Sequence, residues 1–186
     1  MHPNDKHAAN ISDFNITDFN QFIAYLNDQL SDNGKGDLPY FMPLARANSV
    51  VTEQKAATFY RGLSTPYNQA GWRKMWLCHG DAGQIIGHID LRAHSEPTSA
   101  KRCLLGMGVQ RDLRHIGLGK VLLAHAESWL LKTTSINWID LQVLSGNLPA
   151  IRLYQSSNFV ITEEKSDVFQ LDGHEFSEIN MSKKIR

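Results

Sequence analysis

Cys103-Leu104-Leu105-Gly106-Met107-Gly108-Val109 is an apolar run followed closely by Arg114-His115-Ile116-Gly117-Leu118-Gly119-Lys120, which opens a long amphipathic segment reaching Lys132. Read together, these residues predict a strand, a glycine-containing turn and a helix start. The first N–H groups of a helix lack intrahelical acceptors, and the helix dipole places partial positive charge there, so the turn suits a phosphate-bearing ligand. Glycine at 117 and 119 removes the Cβ atoms that would hold a phosphate away, while Arg114, His115 and Lys120 add charge or donors nearby.

Outward from this stretch, Leu118, Leu122, His125, Ala126 and Trp129 recur at i, i+4, i+7, i+8 and i+11, the face of a helix packed on a sheet. A second strand-like run, Trp138-Ile139-Asp140-Leu141-Gln142-Val143, comes next. It leads into Asn147-Leu148-Pro149-Ala150-Ile151-Arg152-Leu153-Tyr154-Gln155-Ser156-Ser157-Asn158-Phe159.

Loop and segment together resemble the GCN5-related N-acetyltransferase (GNAT) family. In that family an Arg/Gln-x-x-Gly-x-Gly/Ala loop binds the coenzyme A pyrophosphate, and an Asn-x-x-Ala-x-x-Leu-Tyr segment follows. Here these are Arg114-x-x-Gly117-x-Gly119 and Asn147-x-x-Ala150-x-x-Leu153-Tyr154. Asn158-Phe159 stands where the family usually has Gly-Phe, and Asn is the residue that best tolerates the left-handed conformation glycine supplies. The resemblance covers roughly residues 72 to 181.

It implies a mixed α/β fold: a central, mostly antiparallel sheet with one splayed parallel strand pair and helices on both faces. It also implies acetyl-CoA as cosubstrate and a primary amine of a small molecule, peptide or protein as acceptor, with direct attack in a ternary complex. Main-chain groups of Met107 and Val109 would bind the pantetheine arm, and the loop from Gly117 through Leu118 and Gly119 to Lys120, flanked by Arg114 and His115, would bind the diphosphate. Asn147 would bond the pantetheine or a water, Ala150 would leave room, and Tyr154 would be the general acid for the leaving thiolate. Many relatives carry a Glu base on the strand ending at Val109, whereas Leu104 to Val109 contains no carboxylate. Asp90 and His88, which share a strand face by alternation, are the leading candidates; His79, His94 and Glu96 are others. A homodimer is common among relatives.

The rest of the chain predicts two helices before the sheet. Phe19, Phe22, Ile23, Tyr25, Leu26 and Leu30 mark one from Thr17, and a second starts near Ser49 or Thr52 and ends before Pro66. In relatives the first helix and the Tyr40-Phe41-Met42-Pro43 segment line the acceptor cleft. Strands are expected over residues 72–78, 84–91 and 103–110, then 162–171 and 175–182, the last two joined at Asp172-Gly173, a hairpin signal. Residues 1 to about 15 are polar and expected to lack regular structure, leaving residues 16–186 as one domain.

Composition narrows the function. Nineteen basic residues balance nineteen acidic ones, so no global field favours nucleic acid or an anionic membrane. Cys78 and Cys103 both lie in apolar runs and read as buried thiols in a reducing compartment. The first residues lack a signal-peptide core, and no run approaches the ~18 apolar residues of a membrane span, so the expectation is a cytoplasmic protein. A dinucleotide fingerprint fails because its third glycine falls at Leu122 or Arg111. An iron site built on His88-x-Asp90 lacks a well-placed second histidine, since His125 lies within a helix and His174 in a hairpin turn. A binding-only reading, in which acetyl-CoA is held without turnover, rests on the missing strand carboxylate, and Tyr154 argues against it.

Overall fold

The strand run Met75-Trp76-Leu77-Cys78 is buried at every residue, so this strand is covered on both faces. The computed structural model describes residues 10–96 and 99–186 and places this strand inside a sheet of seven. In chain order the elements are β1 (Asn10–Asp13), α1 (Phe19–Leu30), α2 (Glu53–Ser64), β2 (Arg73–His79), β3 (Ile85–Ala93) and β4 (Arg102–Val109). They continue with α3 (Leu118–Thr133), β5 (Trp138–Leu144), α4 (Leu148–Gln155), β6 (Val160–Leu171) and β7 (His174–Lys184). The sheet order is β1-β2-β3-β4-β5-β7-β6, and only β4 and β5 run parallel.

The mixed sheet with one parallel pair is the architecture expected from the sequence. One element differs. Asn10–Asp13 pairs antiparallel with β2, from Asn10↔His79 to Asp13↔Trp76, within a segment expected to lack regular structure. Its burial pattern is almost wholly exposed, so no apolar alternation announces it. Residues 1–9 lie outside the described residues.

Alternation along the strands sorts two cores. Trp76, Ile89, Leu91, Cys103, Leu105 and Leu141 face α3 and α4 and pack with Leu122, Ala126, Leu130, Ile151 and Phe159. Met75, Leu77 and Ile85 face the other way, against Phe22 and Tyr25 of α1 and Phe59 and Leu63 of α2. Each fully buried side chain of this size contributes about 1.5–3 kcal/mol. Tyr40 packs on Leu144, Leu171 and Phe176 and donates to Asp172 Oδ2 at 2.6 Å, docking the α1–α2 connection on the β6–β7 hairpin. That hairpin turns at Asp172 (φ 48°) and Gly173 (φ 86°), the double positive φ of a type I′ turn. β6 is an edge strand, long and exposed, interrupted by two register shifts and carrying Glu163, Glu164, Lys165 and Asp167. Charges and bulges of this kind discourage pairing with another sheet.

Candidate active site

β4 and β5 pair only over Arg102↔Trp138, Cys103↔Ile139 and Leu104↔Asp140. Beyond that point each strand stays with its outer neighbour, β4 with β3 up to Gly87↔Val109 and β5 with β7 up to Leu144↔Glu178. The strands therefore part in the middle of the sheet. Gln110 N–H donates to Ile86 C=O at 2.9 Å, which fixes the alternation: Gly106 and Gly108 direct their main-chain groups to β3, and Met107 and Val109 direct theirs into the opening. Val109 C=O is occupied there by Arg114 Nε at 3.1 Å.

The opening leads to the turn before α3. Gly117 caps the helix in a left-handed conformation (φ 96°), preceded by His115 in the same region (φ 67°). No side chain caps α3, and among the described residues the N–H groups of residues 115 to 119 meet no acceptor. A Cβ on Gly117 would stand in open space, so its glycine is required by φ. Gly119 has another reason: a Cβ there would lie 2.9 Å from Leu153 Cδ2 and 3.3 Å from Met107 Cε, so this glycine lets α4 close on the start of α3. His115 and Lys120 are exposed and Leu118 is buried.

Arg114 is spent within the protein. Besides Val109 it reaches Gln29 Oε1 at 3.1 Å and Asp32 Oδ2 at 3.5 Å. Arg111, which sequence alone presents as a surface charge, binds Asp32 Oδ2 at 2.8 Å and the Asp28 carbonyl at 3.0 Å. The two arginines strap the turn to the C-terminal end of α1.

Across the opening, Asn147 caps α4 through Oδ1, which accepts from Ala150 N–H at 3.3 Å, while its Nδ2 donates to no group among the described residues. Tyr154 is held by the end of that helix. Phe159 N–H donates to Tyr154 C=O and Asn158 N–H to Gln155 C=O, with Asn158 left-handed (φ 67°) and the Phe159 and Tyr154 rings 5.6 Å apart. This is a Schellman ending with its apolar contact. Tyr154 shares a packed layer with Met107, Val109 and Ala150. Among the described residues its hydroxyl has no hydrogen-bond partner, and it is not sealed from solvent. Burial pushes its pKa well up, so the phenol keeps its proton at neutral pH.

The other face of the opening belongs to β3. A Cβ on Gly106 would lie 2.5 Å from Asp90 Oδ2, and one on Gly108 would lie 2.7 Å from His88 Cε1. At these two glycines of β4, a carboxylate and an imidazole of β3 are laid over the strand. Burial lowers the His88 pKa to about 4, so the ring is neutral. Its Nδ1 is 3.5 Å from Tyr25 Oη. Asp90 is ion-paired with Arg73 at 2.9 Å and Arg92 at 3.4 Å.

Of the other base candidates, His79 sits beside Ser12 at the β1 edge of the sheet and Glu96 is exposed beyond β3. His94 donates to or accepts from Asp140 Oδ2 at 2.9 Å. Asp140 also takes two bonds from Arg102 and one from Ser182 Oγ at 2.6 Å. Burial would raise this carboxyl, yet the bonds from Arg102 and Ser182 outweigh it and hold the pKa below the usual range. The cluster floors a groove of about 450 Å³, lined also by Leu104, Gln142 and Asn180, on the α1–α2 side of the sheet. Neither the Asp140 cluster nor the arginine straps has a local sequence signal, because their partners come from distant strands and helices.

Both cysteines are buried, and burial pushes Cys103 up to about 12, which leaves it a thiol rather than a nucleophile. Among the described residues, no three His, Cys, Asp or Glu side chains gather to hold a metal, and no helix is long and apolar enough to cross a membrane.

A parted parallel pair continuous with a glycine-capped helix start is a coenzyme-binding geometry, and the comparisons agree with it. Residues 45–159 match the model of the Acetyltransferase (GNAT) family, more than half of the chain, and the protein belongs to that family. It is similar to the acetyltransferase PseH of Campylobacter jejuni, 27% identical over 104 residues that make up 56% of this chain and 62% of that protein. The chain thus spans less than two thirds of that relative's length. Among solved structures, a GNAT-family acetyltransferase from Streptococcus pneumoniae superposes with a TM-score of 0.77 at 20% identity, covering 95% of this chain and 98% of the other. A phosphinothricin acetyltransferase from Sinorhizobium meliloti, solved with acetyl-CoA, gives 0.73 at 13% identity, covering 96% and 89%. At these identities the structures share the fold.

Proposed function

We propose that the protein is an acetyl-CoA-dependent N-acetyltransferase that acetylates a primary amine by direct attack in a ternary complex. The observation that carries this reading is the run of main-chain groups that face the β4–β5 opening, Met107 and the Val109 N–H, leading on to the amides of residues 115–119, with Tyr154 in the same packed core. Those groups fit acetyl-CoA. The helix-start amides take the diphosphate, with Lys120 and His115 adding donors, and the β4 edge takes the pantetheine amides. Asn147 Nδ2 offers a further donor, and Ala150 is small enough to leave space. Bound there, the cosubstrate supplies an activated acetyl carbonyl on a good leaving thiol.

The amine nitrogen bonds to that carbonyl carbon, the carbon–sulfur bond breaks, and one proton must leave the nitrogen while one reaches the sulfur. Val109 N–H, pointing into the opening, is the donor for the negative charge that develops on the carbonyl oxygen. Tyr154, still protonated at neutral pH, gives the thiolate its proton. An acceptor ammonium of pKa about 10 loses its proton on the α1–α2 face, where Asp90 and His88 lie over the glycines of β4. Asp90 is tied to two guanidiniums and His88 is buried and kept neutral, so neither takes that proton, which departs through water.

The test is a thiol-release screen over amines and peptides beside calorimetry with acetyl-CoA. Turnover with at least one acceptor supports the proposal; tight binding without turnover across the panel favours a sensor, the reading that the paired state of Asp90 would then explain. With an acceptor in hand, Tyr154→Phe lowers kcat about 100-fold, roughly 2.7 kcal/mol, and moves the acetyl-CoA Kd less than threefold. Unchanged kcat removes Tyr154 as the acid.

A further inference from the structure

Around Asp90, the α1–α2 face of the sheet carries more positive charge than that one carboxylate can balance. Lys55, Phe59 and Gly62 lie at i, i+4 and i+7 on α2, the face turned to β2: the Arg73 guanidinium sits 4.0 Å from the Phe59 ring centre, and a Cβ on Gly62 would lie 3.1 Å from Arg73 Cβ. Next to Arg73 in the sheet register is Arg92, whose Nη1 would stand 3.2 Å from a Cβ on Gly106 of β4. Arg73 and Arg92 thus share one carboxylate, Asp90, and Lys55 lies on the α2 face turned toward them.

That carboxylate is sealed beneath them, its side chain 3% exposed against 31% for Arg92. Among the described residues, no acid pairs with the Lys55 ammonium. The neighbouring cluster repeats the arrangement, with Asp140 13% exposed under Arg102 at 35%. Glu178, which accepts from Gln142 at 3.3 Å, is matched by Lys165 at 3.6 Å. The buried floor is acidic and spent; the reachable rim is basic.

Resting on the acetyltransferase reading, we infer that the acceptor amine carries an anionic group, a carboxylate or a phosphate, which docks on Lys55 and Arg92. A desolvated cation with like charges beside it is costly unless an anion arrives, and a planar guanidinium matches either oxyanion bidentately. In keeping with this, burial and the charges of Arg73 and Arg92 lower the Lys55 pKa. A polycationic acceptor would meet the same field as repulsion. The acidic residues near this face therefore do not mark a cation site, because both Asp90 and Asp140 are already paired.

Matched acceptors test the inference: lysine against cadaverine, and O-phosphoethanolamine against ethanolamine, by thiol release. The anionic member of a pair is expected to have at least a tenfold higher kcat/KM. Lys55→Ala and Arg92→Ala erase that preference by raising KM with little change in kcat, and Lys55→Arg restores it. A larger gain for lysine than for the phosphate ester identifies a carboxylate ligand, and the reverse identifies a phosphate. Equal or better use of the unsubstituted amine, or a preference that survives both alanine variants, overturns the inference.

If none of the four is turned over, inorganic phosphate is titrated by NMR into the CoA-saturated protein. Saturable shifts on α2 and β3 that Lys55→Ala abolishes support an anion site, and their absence overturns it. Calorimetry on the same samples separates the two levels: loss of acetyl-CoA binding in the wild type defeats the acetyltransferase reading, whereas intact binding with no anion preference defeats only the acceptor inference.

Discussion

The two sides of the β4–β5 opening are made of different material. The side proposed for the cofactor is main chain: the inward-facing groups of Met107, the Val109 N–H and the amides of residues 115–119, exposed because β5 departs and because Gly117 can hold φ at 96°. The side proposed for the acceptor is side chain: Asp90, Arg73, Arg92, Lys55 and His88, drawn from α2, β2 and β3, with Asp90, Arg92 and His88 laid over Gly106 and Gly108. A main-chain site tolerates almost any side chain that does not block it. A site of buried charges depends on every partner.

The comparison breaks first at Asp90. Asp90→Ala leaves the buried Arg73 without its acid and is expected to cost about 3–5 kcal/mol, lowering the melting temperature by roughly 10 °C while the acetyl-CoA Kd stays within threefold. A melting temperature within 2 °C of wild type would show that the acceptor side does not depend on its pairs.

His88 sharpens the same contrast through pH. Its native pKa of about 4 lies below the ~6.5 of an unfolded histidine, so below pH 6.5 the unfolded chain takes up a proton that the native ring refuses. The stability so contributed, about 3 kcal/mol, is present above pH 6.5 and is lost as pH falls toward 4. In denaturant unfolding, wild type should lose stability relative to His88→Leu over that window, and parallel pH curves would contradict a neutral buried ring.

Gly117→Val attacks the other side. The branched residue cannot hold φ near 96° without strain and would crowd the amides, so acetyl-CoA is expected to bind about 100-fold more weakly, roughly 2.7 kcal/mol by calorimetry. Stability should fall by only ~1–2 kcal/mol. Undiminished affinity would move the diphosphate away from this turn. The smallest effect belongs to Asn158→Gly, which relieves a left-handed asparagine and should stabilise the fold by about 0.5 kcal/mol without altering the seat of Tyr154.

The same division explains what the sequence disclosed. Main-chain sites leave a trace in glycine spacing, and so Gly117, the α3 start, the Asp172-Gly173 turn and the left-handed Asn158 were readable as local signals. Gly119 was readable as a glycine but not for its reason, since Leu153 comes from another helix. Gly106 and Gly108 suggest a bend in sequence, whereas in the fold they clear space for Asp90 and His88. Arg111 and Arg114 reach back to Asp28, Gln29 and Asp32 across the molecule, and Arg73 meets Asp90 only through strand register. β1 escaped notice because one half-buried residue in four carries no periodicity.

The position of β7 has a consequence for synthesis. It is the last strand in chain order, yet it lies between β5 and β6 and pairs with both. While the chain emerges from the ribosome, β5 must wait with one edge bare, and β6 has no neighbour at all until residues 174–184 clear the exit tunnel. Closure of this half of the sheet therefore waits on β7, and nascent chains stalled short of it are the form a chaperone would meet.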